Sequence, residues 1–127
     1  MAIFANGNAR IHYEEYGSGH PLLLIAPGGM RSAIDFWERM PWNPIADLAE
    51  HFRVIAMDQR NAGESTAPVA GSDGWHCYTQ DQLALMEHLG VDRCHLVGMC
   101  IGGSYNLALM AAAPERFSAA VMFQPIG

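Results

Sequence analysis

The sequence predicts an α/β domain: a mostly parallel sheet with helices on its flanks. Three observations carry that expectation. Leu22 to Ala26, Arg53 to Met57 and Cys94 to Val97 are short runs with apolar residues on both faces. A strand buried on both faces reads this way, because helices cover each side of a parallel sheet. Longer stretches of helical character lie between these runs, and strand-helix-strand order brings right-handed crossovers. Half of the 127 residues are hydrophobic and 16% are charged, enough for one domain with a real core.

The elements follow in chain order. Asn6-Gly7-Asn8 reads as a turn, and Ile11 to Tyr16 as a half-buried strand after it. Two N-terminal strands are expected as an antiparallel lead-in. Leu22 to Ala26 is the first parallel strand. Pro44 to His51 is a short amphipathic helix, and Arg53 to Met57 the next strand. Ser65 to Trp75 carries Pro68, Gly71 and Gly74 and reads as a loop. Thr79 to Leu89 sets Leu83, Met86 and Leu89 on one helical face, with Gly90 suited to the cap and Asp81 to the first turn. Cys94 to Val97 is a strand. Ile101 to Ala113 is an Ala-, Leu- and Met-rich helix stopped by Pro114, and Ser118 to Phe123 is the last strand.

Composition narrows the function. The net charge is -6, and the seven basic residues, all Arg, are scattered. Neither nucleic acid nor an anionic membrane is an expected partner. No apolar run reaches the roughly 18 residues of a membrane helix. Met1 to Arg10 has no secretory pattern. The three cysteines, 77, 94 and 100, form neither a disulfide framework nor a zinc-binding spacing. The expectation is a cytoplasmic protein with reduced thiols and no metal.

The most informative stretch is Cys94-His95-Leu96-Val97-Gly98-Met99-Cys100-Ile101-Gly102-Gly103. An apolar strand runs into Gly-x-Cys-x-Gly-Gly, and a helix follows at once. Such a turn forces its central residue into a strained backbone, and side chains two positions either side would collide. Gly98 and Gly102 relieve that crowding, and Gly103 extends the small-residue run. Cys100 then stands at a helix N-terminus, where dipole and free N–H groups favour a thiolate. The amide of Ile101 faces a developing oxyanion. Two plainer readings stand beside this one. A Gly-rich strand-helix turn can bind phosphate, although the spacing is not Gly-x-Gly-x-x-Gly and the chain has no Lys. A cysteine can also be inert packing.

Two further segments accompany it. Pro27-Gly28-Gly29-Met30 follows the strand Leu22 to Ala26. Met57-Asp58-Gln59-Arg60-Asn61-Ala62-Gly63-Glu64-Ser65 follows the next one. Together the three motifs, with Ala113-Pro114-Glu115-Arg116-Phe117 behind them, resemble the α/β-hydrolase superfamily over nearly the whole chain. The resemblance implies a nucleophile elbow at Cys100, with Cys in place of the commoner Ser. It implies an oxyanion hole from the amides of Ile101 and Gly29, with Met30 the fallback for Gly29. Pro27 stands where that family usually has His, and Asn61 where it has Gly. Asp58 and Arg60 are expected to hold turns together rather than to catalyse. Asn61 suits a left-handed backbone.

The same resemblance exposes what is missing. The family places an acid and then a His after its nucleophile. After Cys100 this sequence has Glu115 as its sole acid and no His. Residues 1–127 are thus expected to be the N-terminal part of a hydrolase domain, strands one to six, without the later strands and cap. Of the earlier histidines, 12, 20, 51, 88 and 95 have structural readings, and only His76 is a candidate base bordering a pocket. Met30, Met99 and Trp75 line either an apolar acyl site or the core. Cys77 and Cys94 are expected to pack. A sheet ending at Val121 to Gln124, before Pro125-Ile126-Gly127, is expected to leave an apolar edge. Self-association or a partner polypeptide would fill that edge, unless the chain is a fragment. The expected chemistry is acyl transfer on a small ester, thioester or lactone without cofactor. Dienelactone hydrolases and polyhydroxyalkanoate synthases resemble this use of Cys. The rival reading is a non-catalytic binding or assembly module that kept the fold.

Overall fold

The computed structural model describes residues 2–124; Met1 and Pro125 to Gly127 lie outside the described residues. Six strands form one mixed, mostly parallel sheet: β1 (Ala2–Asn6), β2 (Ala9–Tyr16), β3 (His20–Ile25), β4 (Phe52–Met57), β5 (Cys94–Met99) and β6 (Phe117–Phe123). Their order is β1-β2-β4-β3-β5-β6. The hairpin β1–β2 and the β2–β4 pair are antiparallel, and every other pair is parallel. Three α-helices connect the strands: α1 (Pro44–Ala49), α2 (Trp75–His88) and α3 (Ile101–Ala112).

The central strands β3, β4 and β5 are largely buried on both faces, as the apolar runs predict. Alternate side chains point to opposite sides. Leu23, Ile25, Ile55, Met57 and Leu96 pack with Leu85 and Met86 of α2 and Tyr105 and Leu109 of α3. Leu22, Leu24, Val54 and Val97 pack on the other side with Trp37, Ile45 and Leu48. The chain leaves β3 toward β4 and later returns to place β5 on the other flank of β3. The carboxyl ends of β3 and β5 therefore border the point where the strand order reverses, the place where open α/β sheets bind ligands.

Most boundaries move by one or two residues from the expected ones. α1 stops at Ala49, so His51 lies in the turn beyond it. Asn43 caps α1 by accepting from the Ile45 amide at 3.1 Å, with Pro44 at the first helical position. The larger correction is α2, which begins at Trp75 rather than Thr79. Thr79 is an interior residue whose hydroxyl donates to the Trp75 carbonyl, 3.2 Å away, and Gly74 is the extended residue before the helix. Tyr78 pulls the extra turn into place by burying its ring against Tyr105, centroids 5.1 Å apart. Two 3-10 segments, Gly29–Arg31 and Ile34–Arg39, occupy the connection after β3. No sequence signal marked either.

The loop after β4 behaves as expected. Asp58 accepts from the amides of Ile34 and Glu64, each at 2.8 Å, and pairs with His12 Nδ1 at 2.7 Å. A side chain on Gly63 would run into that carboxylate. Asn61 has φ 60°. Arg60 grips the buried Asp81 of α2 through two nitrogens, at 2.6 and 3.0 Å. No helix among the described residues is long and apolar enough to cross a membrane.

Candidate active site

Cys100 stands alone between β5 and α3, with φ 57° and ψ −117°. Only three non-glycine residues among those described have positive φ, and Cys100 is one of them. That conformation costs an L-residue energy and persists only where the surroundings impose it. Two hydrogen bonds hold it in place. The Cys100 amide donates to the Phe123 carbonyl of β6 at 2.9 Å, and the Cys100 carbonyl accepts from the Gly103 amide at 3.0 Å. The glycines on either side let the two ends of the turn close. A Cβ on Gly98 would lie 2.5 Å from the Gly102 carbonyl, and one on Gly102 would strike the Ile25 carbonyl. The first turn of α3 therefore rests directly on the end of β3.

Asn106 completes the turn, and sequence reasoning passed over it. Its side chain is fully buried in a largely apolar helix. With its amide oriented to serve both ends, it accepts from the Gly98 N–H at 3.1 Å and donates to the Gly102 carbonyl at 3.3 Å. The available signal was a polar residue one helical turn beyond Gly102 on the inward face.

Ile25 and Gly98 are register partners. The segment Pro27 to Met30 and the elbow thus leave the same end of adjacent strands. Gly28 and Gly29 have φ 123° and 58°, and a Cβ on Gly28 would press on the Phe36 ring at 2.9 Å. Gly29 opens the 3-10 turn, its carbonyl accepting from Ser32 at 3.2 Å.

Beside the start of α3 lies a cleft of about 220 Å³, lined by Met30, Gly74, Trp75, Tyr78, Ile101 and Tyr105. It is walled by aromatic rings. Trp75 meets Tyr105 edge-on at 5.3 Å, and the Tyr78 hydroxyl donates to the Met30 sulfur at 3.6 Å. Burial pushes the phenols of Tyr105 and Tyr78 above their ordinary range, so both stay neutral donors. The structure thus joins Met30, Trp75 and Ile101, three of the residues singled out in the sequence, and adds the two tyrosines. Two other expected neighbours lie elsewhere. Met99 continues the Val97 face of β5 and lines a groove on the α1 side with Trp37, Trp42 and Phe123. His76 is exposed on α2, with Nε2 3.5 Å from Cys77 Sγ.

The three thiols differ. Cys100 is half-buried at the turn. Cys94 is fully buried, and burial pushes its pKa up to about 11. Cys77 is buried, its thiol donating to Asp73 Oδ1 at 3.6 Å.

The sequence of residues 21–125 matches a family model described as the alpha/beta hydrolase fold. Among characterised proteins, the chain is 40% identical over 95 residues to a soluble epoxide hydrolase of Corynebacterium sp. strain C12, covering 75% of this chain and 31% of that protein. It is 28% identical over 120 residues to a 2-hydroxy-6-oxo-6-phenylhexa-2,4-dienoate hydrolase of Burkholderia cepacia, covering 94% and 41%. The crystal structure of the enol-lactonase from Burkholderia xenovorans LB400 superposes with a TM-score of 0.80 at 27% identity, over 94% of this chain and 45% of that one. The chain spans less than half the length of these relatives.

Proposed function

The chain belongs to the alpha/beta hydrolase fold family, and from that premise we propose that Cys100 is the nucleophile of an acyl-transfer reaction on a small ester, thioester or lactone. The observation that carries the reading is the backbone of Cys100. Its φ of 57° is imposed by Gly98, Gly102 and Asn106 at the carboxyl end of β5. A merely packed cysteine needs no such conformation.

The Cys100 thiolate adds to the acyl carbon, and the carbonyl electron pair moves onto oxygen. The amides of Ile101 and Gly29 receive that oxyanion. Collapse expels the alkoxide or thiolate leaving group and leaves a thioester on Cys100, which water then hydrolyses. An acid and a His would relay the protons, and neither role is assigned to a residue of this chain. The aromatic cleft of Met30, Trp75, Tyr78 and Tyr105 is the proposed seat of the acyl group. No cofactor is assigned, and three free thiols suit a reducing compartment such as the cytoplasm.

The edge of the sheet is proposed to pair with a second copy of the chain. Val121 and Phe123 of β6 are 49% and 38% exposed, and Trp42, 48% exposed, lies beside Phe123. Apolar side chains grouped along an edge strand favour association.

Hydrolysis of p-nitrophenyl acetate tests the nucleophile. Wild type is expected to exceed the buffer rate, and Cys100→Ala to fall to it. Equal rates in the two proteins would remove Cys100 from the reaction.

A further inference from the structure

At the end of the sheet remote from Cys100, side chains from three adjacent strands meet. His20 opens β3, His95 is the second residue of β5 and Ser118 the second of β6. Leu22 is the register partner of His95, so His20, two residues earlier, shares its face of the sheet. The two imidazole centroids are 4.3 Å apart. Each ring directs a nitrogen at the same atom: His20 Nε2 lies 3.0 Å and His95 Nδ1 2.8 Å from Ser118 Oγ. His20 and Ser118 are exposed and His95 is half-buried, so the point of convergence is open to solvent.

A hydroxyl has one proton. It donates to one ring nitrogen and accepts from the N–H of the other, so both imidazoles aim a nitrogen at one position. Neutral imidazoles are the ligands that zinc, nickel and copper ions prefer, whereas magnesium and calcium prefer oxygen. We propose that His20 and His95 together bind one divalent transition-metal ion, which takes over the position their nitrogens now share with Ser118. Water fills the remaining coordination sites, since no group of three or more His, Cys, Asp and Glu residues suited to a metal exists among the described residues. The ion would tie β3 to β5 beside the edge strand β6. It is independent of the chemistry proposed for Cys100.

Titration calorimetry of the whole chain with nickel or zinc chloride, after its accessible thiols are alkylated, tests the site. One ion per chain is expected, with binding weakened at least about tenfold by His20→Ala and by His95→Ala. His76→Ala, which alters an exposed His on α2 beside Cys77, is expected to leave binding unchanged. The ion is expected to raise the melting temperature of wild type and not of the double variant H20A/H95A. Circular dichroism checks that the surface variants fold. Absence of binding at millimolar ion overturns the proposal. So does binding that survives both His20→Ala and His95→Ala, or that is lost only in His76→Ala.

Discussion

A methyl group on Gly98 would lie 2.6 Å from the side-chain amide of Asn106, so the two residues divide one fully buried space between them. The glycine at the end of β5 and the asparagine inside α3 therefore form a single device. It fixes the angle at which Cys100 leaves the sheet.

Asn106→Ala is expected to destabilise the fold by about 1–3 kcal/mol, because the buried Gly98 N–H and Gly102 carbonyl lose their shared partner. Gly98→Ala is expected to cost more, since the new methyl also meets the Gly102 carbonyl, which is backbone and cannot swing away. The double variant is expected to stay unstable for that reason. Urea denaturation of the three proteins gives the comparison.

Asp58 is the second structural key. It accepts from two backbone amides in two loops and from His12. Asp58→Ala leaves all three without that partner, two of them buried, and is expected to cost about 3–5 kcal/mol. The same denaturation experiment reads it. A loss under about 1 kcal/mol would show that water replaces the carboxylate.

Much of this was legible in the sequence. The runs apolar on both faces gave the parallel strands, because only a sheet covered on each side buries alternate residues equally. The crowding at Gly98 and Gly102 followed from spacing alone. Three features were not legible. The first turn of α2 depends on Tyr78 finding Tyr105, a contact between distant segments. Asn106 reads as a helix-neutral residue until the elbow it serves is in place. Met99 and Met30 have the same chemistry in the sequence, yet β-alternation sends Met99 to the α1 side of the sheet, away from the aromatic cleft.

Cys94 gives a pH prediction. Its folded-state pKa is pushed above the ordinary 9.0 to about 11 by burial. Below pH 9 both folded and unfolded chains keep the proton. Between pH 9 and 11 the unfolded chain loses it first, so stability falls as pH rises through that window. The expected loss is on the order of 2 kcal/mol. Cys94→Ala is expected to flatten this alkaline decline in denaturation curves recorded from pH 8 to 11.

The exposed β6 residues give an assembly prediction. Size-exclusion chromatography with light scattering is expected to show a mass above 13.9 kDa. Val121→Lys, a charge on the edge, is expected to shift it toward monomer. A monodisperse wild-type monomer at every concentration would contradict the edge pairing.

Mass spectrometry after brief exposure to p-nitrophenyl acetate tests the central claim most directly. One acetyl group is expected on the peptide carrying Cys100, labile to hydroxylamine as a thioester is. Cys77, Cys94 and the tyrosines are expected to remain unmodified. Acetylation elsewhere with Cys100 untouched, while ester is being turned over, would contradict the account.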